Sequence, residues 1–200
     1  MDVMQAIKGR RSIRKYRTEP VPEEALQTVL EAARWAPSWS NTQCWRLIVV
    51  RDKETKSKLA DTLKGTRPGR SNPATEAVRN APIVIAACAE RGLSGFRKDE
   101  GGQSVPGTDK GDWWLMFDVA LAMQNMSLAA HALGLGTVHT GSLDAAEAAR
   151  ILGVPENVIV VELLPLGWPD EEPAARPRKE INEFVFFEKY QRQVKSNELP

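Results

Sequence analysis

Six cationic side chains crowd the first seventeen residues: Lys8, Arg10, Arg11, Arg14, Lys15 and Arg17, with Ser12 among them. Guanidinium groups grip phosphate oxygens through paired N–H donors, and a serine hydroxyl adds a further donor. The spacing suits a phosphate grip, although taken alone a solvated basic turn explains it equally well. A nucleic-acid patch is a third reading, and the overall charge weighs against it. Lys+Arg total 27 against 26 Asp+Glu, a net charge of +1, so any basic patch is local. A second basic cluster, Arg176-Pro177-Arg178-Lys179, follows the acidic stretch Asp170–Glu172 and by itself reads as a solvated tail.

Two further segments are dense in groups that could hold a ligand. Ala36 to Trp45 (APSWSNTQCW) joins a helix end to a strand start and mixes small polar residues with two tryptophans. A cofactor with an aromatic body and a polar rim needs that mixture, whereas Trp45, beside a strand, reads better as a core anchor. Gly134 to Ser142 (GLGTVHTGS) lacks the GxGxxG fingerprint, since position 139 is His, and it follows a helix rather than a strand. Gly134 and Gly136 are more simply a helix stop. Gly141 and Ser142 could offer free backbone N–H groups before the next helix. His139 lacks partners at metal-ligand spacing, and no metal site is expected. No nucleophile elbow, P-loop or distinguishable carboxylate pair occurs.

The elements that must position these residues alternate between helix and strand. Helices are expected over residues 2–9, 22–36, 52–63, 113–133 and 144–152, with Asp52 and Asp112 as N-caps and Pro37 ending the second. Strands are expected at 47–50, 83–89, 137–140, 158–164 and, in strand-like form, 184–187. Residues 65–80 read as a loop with one short helical turn, 91–111 as a long mobile loop suited to a lid or binding role, and 169–180 as extended. This interleaving argues for helices covering a sheet, α+β or α/β. At 200 residues and 42% hydrophobic, the chain fits a single domain over 1–200. Cys44 and Cys88 suit a reducing compartment, the N-terminus does not resemble a signal peptide, and the apolar tract 113–133 is broken by Asp118, Gln124, Asn125 and His131. A cytoplasmic protein is expected, without a membrane or nucleic-acid partner.

Taken in order, the segments resemble the nitroreductase family. Arg10-Arg11-Ser12-Ile13-Arg14 is similar to its N-terminal phosphate-binding motif, Ala33–Trp45 to its AxxAPSxxNxQPW signature, Pro165-Leu166-Gly167-Trp168-Pro169 to its PLGYP strand end, and Arg176-x-Arg178 to its closing basic pair. The resemblance spans essentially the whole chain. It implies an α+β sandwich with a central mixed sheet, a homodimer joined through the long helix, and a C-terminal extension wrapping the partner subunit. It also implies FMN at the subunit interface. Arg10, Arg11, Ser12 and Arg178 would face the phosphate, with Arg176 close by, and Arg14 would sit at the N1/O2 edge, where a cation stabilises the reduced flavin. Pro37, Ser38, Trp39 and Asn41 would come from the other subunit. His139, Thr140, Gly141 and Ser142 would lie along the ring, a Gly141 or Ser142 amide near N5. Lys15 and Arg17 are left as surface charge.

The implied activity is ping-pong: hydride passes from NAD(P)H to flavin N5, then to a nitroaromatic, quinone or activated alkene. The cofactor carries the chemistry, so no catalytic side chain is required. A specialised flavin enzyme of the same fold, such as a reductive dehalogenase, a dehydrogenase or a flavin-consuming protein, is the alternative. A basic-patch binding module is a more distant one. Cys44 stands where the family has proline, which could loosen that turn or bring a thiol to the flavin. Asn72 is a candidate for the pyrimidine edge, with no matching lysine within 65–80.

Overall fold

Asp2 opens the first helix with a capping box: its side chain accepts the Gln5 N–H while the Gln5 side chain accepts the Asp2 N–H. In the computed structural model, which describes residues 1–65, 67 and 69–190, this helix is α1, Val3–Gly9. Helix α2 spans Glu23–Arg34, with Glu23 and Glu24 where carboxylates oppose the positive helix end. Helices α3 (Lys53–Asp61) and α6 (Ala145–Leu152) each start on a capping aspartate, Asp52 accepting from Thr55 and Asp144 from Glu147. Helix α4 is the short Thr75–Asn80, and α5 the long Trp113–Ala132. The expected cap of α5 is corrected. Asp112 has helical backbone angles and makes no cap bond, and its carboxylate turns to Arg91 at 3.3 Å.

Strands β1 (Trp45–Val50), β2 (Ile83–Glu90), β5 (Gly136–Thr137) and β6 (Val158–Gly167) form one sheet in the order β1-β2-β6-β5. Every ladder is antiparallel. A parallel pairing occurs at the isolated Ser12–Thr137 bridge, where the N-terminal arm joins the sheet's end. Both faces are covered, which is why β2 is apolar throughout rather than alternating. Ile83, Ile85, Ala87 and Ala89 face a core shared with Leu26 and Val29 of α2 and Val119, Met123 and Met126 of α5. Val84, Ala86 and Cys88 face Leu59, Val78 and Ala148 of α3, α4 and α6. Each large side chain buried there contributes on the order of 1.5–3 kcal/mol. This is the expected α+β sandwich.

Three expectations change. Residues 91–111 are not a bare loop, because β3 (Phe96–Lys98) and β4 (Ser104–Pro106) pair as a hairpin. Residues 184–187 form no strand; a 3-10 turn at Ile181–Glu183 precedes them. Strand β6 also runs through Pro165, where β5, ending at Thr137 opposite Leu166, does not reach, so a missing N–H is tolerated. A bulge in β6 sets Glu162 opposite Ala87 and Val160 opposite Cys88, re-aiming the Glu162 side chain. The C-terminal extension is described only to Tyr190; residues 191–200 lie outside the described residues.

Candidate functional site

From Arg10 to Tyr16 the chain runs extended beside the sheet end. The Ile13 N–H donates to Thr137 O at 2.9 Å, and Tyr16 bridges to Pro169. Ile13 points inward so closely that a Cβ on Gly136 would fall 2.6 Å from its Cγ1. Side chains alternate along an extended chain, so Ser12 and Arg14 face the other way. The C-terminal segment crosses the same arm: Asp170 N–H donates to Lys15 O at 2.9 Å, and the Glu171 carboxylate accepts the Arg14 and Lys15 N–H groups.

The result is a cavity of about 190 Å³ lined by Arg10, Arg11, Ser12, Arg14, Arg176 and Arg178, together with Pro173 and Ala174. No carboxylate lines it. Arg10 Nη1 and Arg14 Nε are buried without a partner among the described residues. Burial, and next the charges of Arg11 and Arg178, hold the Arg10 guanidinium below the usual arginine range. Buried cationic donors surrounded by like charge and lacking an acceptor are stabilised by an anion with several oxygens. Arg11 is partly spent, since its Nη1 donates to the α1 carbonyls of Lys8 at 2.6 Å and Gly9 at 3.1 Å. Lys15 and Arg17 stay outside; Arg17 pairs with Glu19 at 3.4 Å and lies over Trp168.

A larger cavity of about 550 Å³ adjoins on the Arg10–Arg11 side, with Ser127, His131 and Thr137 in its wall. His139 lies behind that wall. Its Nε2 is 2.9 Å from Ser127 Oγ, and its Nδ1 is 3.0 Å from the Glu162 carboxylate. Thr140 is buried, its hydroxyl and N–H both donating to Leu163 O, so its side chain serves the fold. The Gly141 and Ser142 N–H groups donate to nothing among the described residues. Ser142 is braced by Lys64, whose N–H donates to Ser142 O at 2.8 Å and whose carbonyl accepts the Ser142 hydroxyl at 2.9 Å. Asn72 donates to Lys64 O at 3.1 Å, so it does stand against the Gly141–Ser142 segment. Lys64 meets this segment through its backbone, while its ammonium pairs with Asp144 at 2.9 Å.

Pro37, Ser38, Trp39 and Asn41 lie apart from these residues within one chain, and none of them lines either cavity. Their turn carries unusual backbone: Ser40, Asn41 and Gln43 have φ of 47°, 55° and 47°. Left-handed angles cost a side-chain-bearing residue on the order of 1 kcal/mol each, so the surroundings must hold them. Asp118, buried in α5, accepts the Trp39 N–H and the Ser94 hydroxyl, and Ser38 Oγ accepts the Gln43 N–H at 2.9 Å. Cys44 is fully buried with its thiol 4.0 Å from Asp118. Burial, and then the Asp118 charge, push that thiol up to about 11. The thiol joins the core as a weak donor to Asp118.

Asp118, Glu162, Glu171, Ser127 and Lys64 were not singled out from the sequence. An aspartate inside an apolar helix was a usable signal for the first, because a buried charge must have partners. No group of three or more His, Cys, Asp and Glu is arranged for a metal among the described residues. Nor is any described helix long and apolar enough to cross a membrane.

The Nitroreductase family model matches residues 7–168, a span that holds the whole sheet and the Arg10–Arg14 side of both cavities but stops short of Arg176 and Arg178. The chain belongs to the nitroreductase family. Among its relatives, an NADH dehydrogenase of Thermus thermophilus is 32% identical, the match covering 86% of this chain and 89% of the relative. An FMN reductase [NAD(P)H] of Bacillus subtilis is 30% identical over 88% of this chain and 70% of the relative. The solved NADPH:FMN oxidoreductase of Vibrio harveyi, complexed with NAD+, superposes with a TM-score of 0.78 at 28% identity, covering 96% and 79% of the two chains. In this nitroreductase, the matched span thus takes in the arginine arm, the Ser38–Asn41 turn and the Gly141–Ser142 amides.

Proposed function

We propose that the protein is an FMN-dependent NAD(P)H oxidoreductase, folded as one domain over 1–200 and working as a cytoplasmic homodimer. The observation that carries this reading is the arginine cavity, whose Arg10 Nη1 and Arg14 Nε donors lack partners. FMN fits it: a phosphate monoester supplies the missing acceptors, and no acidic residue in the lining opposes it. Arg10, Arg11, Ser12, Arg176 and Arg178 would hold the phosphate, with Arg14 toward the N1/O2 edge. Gly141 and Ser142 would flank the ring, with an unpaired amide of one of them toward N5, and His139 and Thr140 would back that segment rather than touch the ring.

When bound, FMN accepts hydride from NAD(P)H and passes it to an electrophile such as a nitroaromatic, quinone or activated alkene. The protein's share is binding, orientation and charge. The arginines fix the phosphate, the Gly141–Ser142 segment offers N–H donors, and Glu162, Asp118 and Glu171 hold these pieces in place. Pro37, Ser38, Trp39 and Asn41 would come from the partner subunit. Support for the dimer is apolar surface left open on three elements: Val3, Met4 and Ile7 of α1, Trp113 and Phe117 of α5, and Ile181, Phe184 and Phe187 of the extension. That extension would wrap the partner. Sedimentation of the FMN-loaded protein tests the assembly: a dimer is expected, and a stable FMN-loaded monomer would rule this arrangement out.

A further inference from the structure

Glu162, His139, Ser127 and Thr137 form a continuous hydrogen-bonded chain that the proposed activity has not used. His139 Nδ1 lies 3.0 Å from Glu162 Oε1, His139 Nε2 lies 2.9 Å from Ser127 Oγ, and Thr137 Oγ1 lies 3.3 Å from the same Ser127 Oγ. Ser127 and Thr137 are buried, yet both line the 550 Å³ cavity that also holds Arg10 and Arg11. The other end is less enclosed, the His139 side chain being 35% exposed and that of Glu162 13%. The chain thus runs from a solvent-reachable imidazole–carboxylate pair to the wall of the candidate cofactor cleft.

Its members can carry one proton more or one fewer without leaving a polar group stranded. With His139 neutral, Nδ1–H donates to Glu162, the Ser127 hydroxyl donates to Nε2, and the Thr137 hydroxyl donates to Ser127. With His139 protonated, Nε2–H donates to Ser127 Oγ, the Ser127 hydroxyl turns to Thr137, and the Thr137 hydroxyl turns into the cavity that both line. Only two hydroxyl rotors move, and no backbone shift is needed. A histidine serving merely as a bracket has no need of two reversible hydroxyls in series at a cavity wall.

We propose that His139 is a redox-linked proton site: it takes one proton from solvent when the cleft gains electrons and returns it when they leave. The inference rests on the FMN reading above. Hydride brings two electrons and one proton, and leaves the cleft one charge more negative. A negative charge nearby favours the cationic imidazole, and a proton from water on His139 restores the balance. Oxidation by the acceptor removes the hydride and releases that proton to water, so atoms and charge close over the cycle. The groups in contact with His139 are Glu162 from β6 and Ser127 from α5, and the charges at the cavity end are Arg10 and Arg11, which line it with Ser127 and Thr137. The other histidine, His131, lines the same cavity and is held below its usual range by burial and then by Arg10 and Arg11.

The chain contains only these two histidines, so both can be followed by NMR in histidine-labelled FMN-loaded protein, with His131→Gln to assign them. The titration midpoint of His139 is expected to rise by about two pH units or more on anaerobic reduction, a roughly hundredfold gain in proton affinity, as uptake of a whole proton requires. Equilibrium potentials against pH should show two protons per two electrons between the oxidised-state and reduced-state midpoints of His139, and one on either side of them. His139→Gln, which keeps a donor and an acceptor but does not titrate, should show one proton throughout. A His139 midpoint that is the same in both redox states, or a potential profile unchanged by His139→Gln, overturns the proposal while FMN binding stands. Failure to take up FMN at all removes the functional reading and this proposal together.

Discussion

The backbone N–H of Trp39 donates to both oxygens of the Asp118 carboxylate, at 3.2 and 3.1 Å, tying a turn of left-handed residues to the second turn of the long helix α5. The same carboxylate accepts the Ser94 hydroxyl, so the turn, α5 and the root of the β3–β4 hairpin meet on one buried charge. Asp118→Asn preserves the shape but replaces one acceptor by a donor facing other donors. A loss of roughly 1–3 kcal/mol is expected, read as a lower thermal midpoint together with faster exchange of the Trp39 amide. Wild-type stability in this variant would contradict the assigned role.

Arg10 should act with opposite sign on the two states of the protein. Without an anion its charge is desolvated and repelled by Arg11 and Arg178, so Arg10→Ala should leave the flavin-free protein at least as stable. The same change removes a charged phosphate contact worth about 1.5–3 kcal/mol, weakening FMN binding some tenfold to a hundredfold. Arg178→Ala, on an exposed side chain, should cost less. Calorimetric FMN titrations would settle the order; equal affinities across wild type and both variants would dismiss the cavity as the phosphate site.

The two buried thiols make a prediction on the alkaline side. Both are raised from 9.0 to about 11, Cys88 by burial and Cys44 by burial and then Asp118. A raised folded value means that the folded state keeps its proton while unfolded cysteine ionises, so stability is intact below about pH 9 and falls toward pH 11. Each thiol should account for roughly 2 kcal/mol over that window. Cys44→Ala and Cys88→Ala should each flatten the decline, at the cost of lower stability near neutrality. Denaturant melts across that range check it, and a profile untouched by both changes would refute it.

The hairpin should influence the choice of acceptor rather than the hold on FMN. A Cβ on Gly107 would lie 3.2 Å from the Trp39 ring, so a larger side chain there must push the indole. Gly107→Val is expected to change KM for bulky acceptors by roughly tenfold, as a displaced pocket wall does, with FMN retained. Steady-state kinetics on small and bulky quinones would show it. Loss of FMN with no change in acceptor preference would place the hairpin elsewhere in the scheme.

The pieces with a local signature were legible in the sequence. Asp52 caps its helix, a helix follows Asp144, Pro37 comes after the end of α2, and the apolar run at 83–89 is the two-sided strand β2, whereas the cap expected of Asp112 is absent. The arginine arm was legible as a cluster, but only folding shows that Arg176 and Arg178 return to it and that Arg11 is partly spent on α1. Pro165 was misleading because its tolerance depends on where a neighbouring strand stops. The short strands β3 and β4, three residues each, hid among glycines and polar residues that read as loop. Asp118, Glu162 and Glu171 carry no spacing signal, since each acts on residues far along the chain.

We propose that the arginine cleft holds FMN and that NAD(P)H reduces it there. The direct measurement is the visible absorption spectrum of the purified protein, recorded before and after anaerobic addition of NADH or NADPH. A yellow protein whose flavin band bleaches with one equivalent of reduced nucleotide is the predicted result. A colourless protein that added FMN cannot reconstitute, or a bound flavin that neither nucleotide reduces, would contradict it.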